Sequence, residues 1–124
     1  MLPSIVADIG GAVGLEFALV STALFLTLFG AIEFSRMIWT ESALNFAVQE
    51  AARCASVTPA TCGTSAQITS YASGLITVVA VPSTAFTAAT ATCGHKVSAS
   101  YAFTFLATGL FTAAPTLTAS ACFP

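Results

Sequence analysis

The chain has 124 residues, of which 56% are hydrophobic and only 6% are charged, whereas charged residues make up roughly 25% of an ordinary soluble domain. A soluble monomer of this size cannot hide so much apolar surface, so the protein belongs in a membrane, in a tightly packed assembly, or in both. The formal net charge is −2, and a chain without a basic patch is not expected to bind nucleic acid.

A long helix dominates the predicted fold. Residues 1–11 form a short leader-like segment that contains Pro3 and ends in two glycines. No further proline interrupts the chain before Pro59. The sequence therefore predicts a helix from Ala12 to about Val57, roughly 65–70 Å long at about 1.5 Å per residue.

The first half of this helix is apolar enough to enter a bilayer. No residue between Glu16 and Glu33 carries a charge, and this stretch with its flanks has about the length that a bilayer requires. A secretory signal peptide is the rival interpretation, but its cleavage would fall near Gly30 or Ala31, where the apolar character does not stop. A carboxylate at membrane depth costs several kcal/mol unless it is neutralised. Glu16 therefore either lies at the bilayer interface or has a role in assembly.

The second half of the helix is amphipathic, with apolar residues at intervals of three to four positions. Its polar face carries two acid–base pairs with i,i+3 spacing, Glu33 with Arg36 and Glu50 with Arg53. Such pairs stabilise a wet helix only slightly, and they matter more where helices crowd together and exclude water. Over the whole helix we expect the large side chains to pack between helices, namely Phe17, Phe25, Phe29, Phe34, Trp39 and Phe46.

A second helix and three strands are predicted after the long helix breaks at Pro59. Ser65 is the predicted N-cap of a helix over 66–80, with a strand from Val78 onward as the alternative. The strand candidates cover 85–92, 96–105 and 116–123, and apolar alternation is clearest in the second of them. The predicted fold class is α+β, with a long N-terminal helix and a small C-terminal head that contains a short helix and a three-stranded antiparallel sheet.

Four cysteines follow the apolar segment, Cys54, Cys62, Cys93 and Cys122. An even number beyond a membrane segment favours disulfides in an oxidising compartment. A zinc site of four thiolates is the alternative, although no C-x-x-C pair is present. Cys54 and Cys62 bracket the break after the long helix, and antiparallel pairing of the last two strands brings Cys93 opposite Cys122. We favour these two bridges among the three possible pairings.

The available residues do not support a catalytic centre. His95 and Asp8 are the single histidine and the single aspartate, and they lie on opposite sides of the apolar segment. A Ser-His-Asp or Cys-His-Asp arrangement therefore cannot be built beyond the membrane. His95, which follows a glycine, is predicted to be a turn residue. The protein is not expected to be an enzyme, and no cofactor or metal is expected.

The segment GAVGLEFALV…FGAIEFSRMIWTESALNFAVQEAARCA resembles the N-terminal signature of TadE-like pilus proteins, relatives of type IV pilins. The ending KVSASYAFTFL…PTLTASACFP resembles the C-terminal strands of that family. In this family a prepilin peptidase cuts after a glycine and leaves a glutamate fifth in the mature chain. The resemblance therefore implies cleavage between Gly11 and Ala12, with Glu16 as the fifth residue.

The same resemblance gives Glu16 a physical role. Its carboxylate would neutralise the new α-amino group of its own chain or of a neighbour, and a mismatched stagger would leave a charge unpaired in an apolar core. Glu16 would thus set the axial register between packed helices. Leaders in this family are usually basic, whereas residues 1–11 contain no Lys or Arg. Either the native start lies upstream of Met1, or membrane retention depends on another feature.

The function implied by the resemblance is that of a structural subunit of an extracellular Tad or type IV-like pilus. Residues 12–57 would form the membrane anchor and filament core, and residues 58–124 a disulfide-stapled extracellular head. The expected partners are copies of the same chain in a helical filament, other pilins, inner-membrane assembly machinery and the prepilin peptidase. The subunit would lie in the inner membrane before assembly and on the bacterial surface afterwards. The alternative is a minor membrane-anchored pseudopilin that primes or stabilises a filament or secretion apparatus made of another pilin.

Overall fold

The computed structural model describes residues 8–124, so residues 1–7 of the predicted leader-like segment lie outside the described residues. The chain divides into a first unit that ends at Ser35 and a second unit, Arg36–Pro124. Helix α1 runs Asp8–Val57 and contributes residues to both units. It ends at the predicted boundary because Pro59 follows, and the residue before a proline is disfavoured in the α conformation.

The second unit has the predicted α+β architecture. After α1 come two short helices, α2 Pro59–Cys62 and α3 Ser65–Gly74, a single 3₁₀ turn at Ser83–Ala85, and three strands. The strands are β1 Phe86–Ala91, β2 Gly94–Ala102 and β3 Thr116–Phe123, and they form one antiparallel sheet in the order β1-β2-β3. The predicted fold class is thereby confirmed.

Helix α3 differs from its prediction at both ends. Its N-cap is Thr64 and not Ser65, because Thr64 and Gln67 form a capping box. The Thr64 hydroxyl accepts from the Gln67 amide at 3.3 Å, and the Gln67 side chain accepts from the Thr64 amide at 3.1 Å, which satisfies two N-terminal donors reciprocally. The helix ends at Gly74, and residues 75–82 form neither the predicted helical extension nor the alternative strand. The β-branched run there lowers helix propensity, and Pro82 cannot donate a ladder hydrogen bond.

The turn between β1 and β2 has two residues and closes at Gly94, which pairs with Ala91. Gly94 has φ +116°, and a side chain there would collide with the backbone of Phe123 and Pro124. Glycine is the residue that adopts this conformation without a steric penalty. The prediction of His95 as a turn residue is therefore wrong, since His95 already lies in β2, opposite Phe123 of β3.

The hydrophobic core lies on one face of the sheet and includes side chains of α1 and α3. The predicted inner face of β2 is confirmed, since Val97, Ala99 and Phe103 are buried and Tyr101 is half-buried. From α1 the core receives mostly small residues, and small side chains let a helix approach a sheet closely. The buried hydrophobic residues of α1 are Leu44, Ala47, Val48, Ala51, Ala52, Cys54 and Ala55. Phe34 and Ile38, which share the apolar pattern in the sequence, are exposed.

Two disulfides connect the elements of the second unit, and they join the pairs that the sequence favours. Cys54 in α1 is bonded to Cys62 in α2, with their Cα atoms 5.7 Å apart. Cys93 in the β1–β2 turn is bonded to Cys122 in β3, with their Cα atoms 6.1 Å apart. The second bond follows from the register, since Lys96 is opposite Cys122 and places the turn beside the end of β3.

We expect the bond between Cys93 and Cys122 to contribute more stability than the bond between Cys54 and Cys62. Their sequence separations are 29 and 8 residues, and loop-closure entropy then gives about 3.6 and about 2.5 kcal/mol. Each bond is removed by a paired Cys→Ala substitution, which leaves no free thiol. Denaturant unfolding of the full chain in detergent micelles measures both losses. A larger loss for the shorter loop would contradict the entropic account.

Candidate functional site: an exposed apolar helix with one acid

Residues 11–35 of α1 expose nearly all of their apolar side chains. Phe17 is 74% exposed, and the other large side chains of this segment are about half exposed or more. In the described part of the chain, Gly11–Val57 is one helix that is long and apolar enough, by length and composition, to cross a membrane. Exposed apolar area on this scale marks a surface that lipid or protein covers.

The hydroxyl residues within this segment do not oppose its burial. Each of them donates to a backbone carbonyl one turn earlier in α1, as Thr22 does to Ala18 at 2.7 Å and Ser35 does to Ala31 at 2.8 Å. Ser21 and Thr27 make equivalent bonds. Because these donors are satisfied inside the helix, burial of their side chains leaves no hydrogen-bond donor without a partner. The helix is therefore less polar than its sequence suggests.

Glu16 is the one charged residue among residues 11–32 of this exposed apolar surface. It is exposed, and the residues one turn away on either side, Ala12, Val13, Leu19 and Val20, are all uncharged. The nearest charged residues along the chain are Asp8 and Glu33, both acidic. The first basic side chain of α1 is that of Arg36, twenty residues further on, so α1 places no basic side chain within one turn of the Glu16 carboxylate.

The candidate processing bond, between Gly11 and Ala12, lies within α1, and Gly11 is exposed. Ala12 and Glu16 have i,i+4 spacing, so their backbones lie about 6 Å apart along the helix axis. An amino group at Ala12 would thus lie one turn from the Glu16 carboxylate. Gly11 and Gly14 each cost the helix about 1 kcal/mol relative to alanine, which lowers the cost of unwinding the backbone around this bond.

The predicted ion pairs have different surroundings. Glu33 is 4% exposed, and both Glu33 and Arg36 take part in interactions. No buried side-chain nitrogen or oxygen lacks a hydrogen-bond partner among the described residues, as a buried carboxylate requires. Glu50 is half-buried and Arg53 is exposed, and both line a cleft of about 310 Å³ beside Cys122. The pairing of Glu33 with Arg36 and of Glu50 with Arg53 stays a prediction.

An aromatic cluster in the second unit was not predicted from the sequence. Phe103 meets Phe105 edge-on at 5.3 Å between ring centroids, and Phe105 stacks on Phe111 at 4.6 Å. The guanidinium of Arg36 lies 5.5 Å from the centroid of the Phe103 ring, within the range of a cation–π interaction. The sequence shows that Phe103, Phe105 and Phe111 follow β2 within a short distance. It does not show which of these rings contact each other, because that depends on how the loop folds.

His95 and Lys96 line an open cleft of about 410 Å³ together with Ser56, Ser65 and Thr90. Hydroxyl groups and two basic side chains give this cleft a polar wall. It holds no carboxylate for acid–base chemistry and no cysteine thiol, since Cys62 at its edge is bonded to Cys54. Among the described residues, no cluster of three or more His, Cys, Asp or Glu side chains is placed to hold a metal ion.

The long apolar helix and the small α+β head with its antiparallel sheet define a pilin-like protein. Residues 11–53 match the family model described as TadE-like protein. The resemblance stated from the sequence is thus confirmed for the helix, and the rest of the chain lies outside the match. The family is in general structural and not catalytic. No curated protein and no solved structure matches the chain.

Proposed function

We propose that this protein is a structural subunit of an extracellular Tad or type IV-like pilus and polymerises through its hydrophobic N-terminal helix. One observation carries the proposal: the apolar side chains of residues 11–32 of α1 are exposed, and Glu16 is the one charged residue in that stretch. Lipid can cover the apolar side chains but cannot neutralise the carboxylate cheaply. A bundle of the same helices buries the apolar side chains and also neutralises the carboxylate, provided that each copy places an amino group beside a Glu16 carboxylate.

The parts of the chain take separate roles in this proposal. Residues 1–11 are a leader that a prepilin peptidase removes, residues 12–57 anchor the subunit in the inner membrane and later form the filament core, and residues 58–124 are the extracellular head. The head contains both disulfides together with Cys54 of α1, and structural disulfides persist in oxidising compartments outside the cytosol. Inner-membrane assembly machinery and other pilins are the remaining partners.

Filaments sheared from cells and purified test the proposal directly. Intact-mass measurement and N-terminal sequencing give both the abundance of the chain and its first residue. A pilus subunit dominates the mass of the filaments and begins at Ala12. Trace amounts would instead assign the minor, membrane-anchored role that primes or stabilises a filament of another pilin. Complete absence from the filaments and from the membrane fraction that assembles them would refute both roles.

We expect Gly11→Val to block processing, because the peptidase would meet a branched side chain at the residue before the cut. The precursor then keeps residues 1–11, and the mass of the membrane-bound chain rises accordingly. Gly30→Val is the matched control, since Gly30 lies in the same helix and a Cβ at either glycine meets no atom within 4 Å. Cleavage of the Gly11 variant at the normal rate would place the processing site elsewhere.

A further inference from the structure

Contacts between α1 and the sheet define the two ends of the second unit. This unit begins at Arg36, whose guanidinium lies 5.5 Å from the centroid of the Phe103 ring, directly after β2. At the other end the Ser56 hydroxyl donates to the carbonyl of Phe123, which pairs with His95 at the start of β2. The helix between the two contacts is about 30 Å long, and the strand is about 26 Å long. β2 therefore runs back along α1 and ends beside Arg36.

The loop between β2 and β3, residues 103–115, lies at the Arg36 end of the second unit. Its aromatic cluster includes the ring beside the Arg36 guanidinium. The amides of Leu110 and Phe111 both donate to the carbonyl of Ala107, at 3.0 and 3.2 Å, so the middle of the loop is a closed turn. Ring contacts and the turn together hold this β2–β3 loop at the end of the unit where α1 enters it.

The β2–β3 loop exposes two leucines. Leu106 is 75% exposed and Leu110 is 62% exposed, and in the described chain after α1 no large hydrophobic side chain is more exposed than Leu106. The loop sequence, FTFLATGLFTAAP, contains no charged residue. Connecting loops are normally rich in polar residues, and exposed apolar side chains that lie together mark an interaction surface.

Arg36 lies at the level where α1 leaves the bilayer, provided that α1 anchors the subunit as in the proposed function. A bilayer core requires about 20 consecutive apolar residues, and residues 12–32, with Glu16 as their single charge, supply that length. The guanidinium of an arginine that follows such a stretch lies among the lipid headgroups. Trp39, one turn further on, is 65% exposed, and tryptophan is enriched at the interface between membrane and water.

We propose that the β2–β3 loop inserts Leu106 and Leu110 into the bilayer leaflet on the side of the head. The loop contacts Arg36, so it lies at the level of the headgroups, and acyl chains cover leucines there in place of water. The head then contacts the membrane through the loop as well as through α1. This second contact restricts the tilt of the head at the membrane surface, and extraction of the subunit into a filament has to remove both contacts.

Lipid fits this surface better than a second protein chain. The loop lies where the apolar stretch of α1 ends, so lipid is present at the loop as soon as α1 is inserted, and no partner has to be recruited. Protein interfaces combine an apolar centre with a polar rim that orients the partner. The loop offers no charged side chain for such a rim, whereas insertion in a lipid interface depends mainly on buried apolar area.

Quenching of tryptophan fluorescence by brominated lipid tests the contact, with the full chain in nanodiscs that hold one copy each. The lipids are phosphatidylcholine and phosphatidylglycerol brominated on acyl carbons near the headgroup, and every variant carries Trp39→Phe. Leu106→Trp is expected to lose at least about half of its emission, because an inserted side chain lies about 5–10 Å deep. Val57→Trp is the matched control, since Val57 is 61% exposed but lies about 32 Å beyond Arg36 along α1. Its emission should not change.

Phe25→Trp separates failure of this inference from failure of the proposed function. Phe25 lies near the middle of the apolar stretch and is 56% exposed. Lipid brominated near the ends of its acyl chains should therefore quench this variant whenever α1 spans the bilayer. An unquenched Phe25→Trp variant contradicts the membrane anchor and, with it, both proposals. A quenched Phe25→Trp variant beside an unquenched Leu106→Trp variant overturns the loop contact alone.

Leu110→Asp, added to Leu106→Trp, tests whether the leucines cause the insertion. A carboxylate is unfavourable among acyl chains, so quenching should fall to the level of Val57→Trp, whereas Leu110→Met should retain it. Leu110 is exposed, so neither change should unfold the head, and denaturant unfolding checks this. Quenching that survives Leu110→Asp overturns the proposal, because the new tryptophan then inserts by itself. Blue-shifted emission of Leu106→Trp without quenching also overturns it, because protein then covers the loop.

Discussion

Replacing Glu16 with alanine is expected to reduce the amount of pilus on the cell surface by at least about tenfold, while the chain still inserts in the membrane. Removal of one partner from a buried charge pair costs about 3–5 kcal/mol, and every 1.4 kcal/mol corresponds to about a tenfold change in an equilibrium constant. Insertion is unaffected because the substitution makes the apolar segment more hydrophobic. Immunoblots of the sheared surface fraction and of the membrane fraction measure the two effects separately.

Two further variants identify the cause of that loss. Glu16→Gln keeps the size and removes the charge, so it should lose assembly as alanine does if charge pairing sets the register. Glu41→Ala makes the same change of net charge at an exposed position of α1, and its pilus yield should stay close to that of the wild type. A Glu16→Ala variant that assembles normally would show that this carboxylate lies at an interface where its charge is already solvated.

Helix α1, the buried face of β2 and the disulfide pairs were predictable because each depends on proline positions, on side-chain alternation, or on residues that are close in the chain or in strand register. The absence of proline over the long apolar stretch predicts α1, and its end at Val57 follows from Pro59. Period-two alternation identifies the buried face that Val97 and Ala99 of β2 share. The disulfide pairs agree with the sequence interpretation because sequence neighbourhood and strand register bring each pair together.

The features that the sequence did not predict depend on contacts between distant residues. The N-cap of α3 is a local exception, since Thr64 and Gln67 exchange two hydrogen bonds and make Thr64, not Ser65, the cap. The ring contacts of Phe103 depend on how the loop after β2 folds back.

The candidate site was accessible to sequence reasoning for a different reason. A single acid within a long apolar stretch is unusual in itself, so Glu16 and its spacing from Gly11 can be recognised in the sequence. The structure adds that this surface is exposed and that its hydroxyl groups are satisfied within the helix. It also shows that Phe34 and Ile38 of α1 are exposed, whereas Leu44 and Val48 belong to the core.

Truncation of two phenylalanines is expected to separate folding of the head from assembly of the filament. Phe103 is 1% exposed and contacts Phe105 and the guanidinium of Arg36. Phe103→Ala should lower the free energy of unfolding by about 3–5 kcal/mol, as is typical when a buried phenylalanine leaves a cavity. Denaturant unfolding of the full chain in micelles measures this loss, and the yield of stable protein in cells should fall with it.

Phe46 provides the matched comparison, because it is 55% exposed on α1. Phe46→Ala removes the same atoms and should change the free energy of unfolding of the dispersed chain by less than about 0.5 kcal/mol. If Phe46 packs between subunits, burial of its ring contributes about 1.5–3 kcal/mol to each contact, so the pilus yield should fall although the head is intact. Equal assembly of the Phe46→Ala variant and the wild type would place this side chain on the outside of the filament. A large loss of stability in the dispersed chain would show instead that Phe46 belongs to the core of the head.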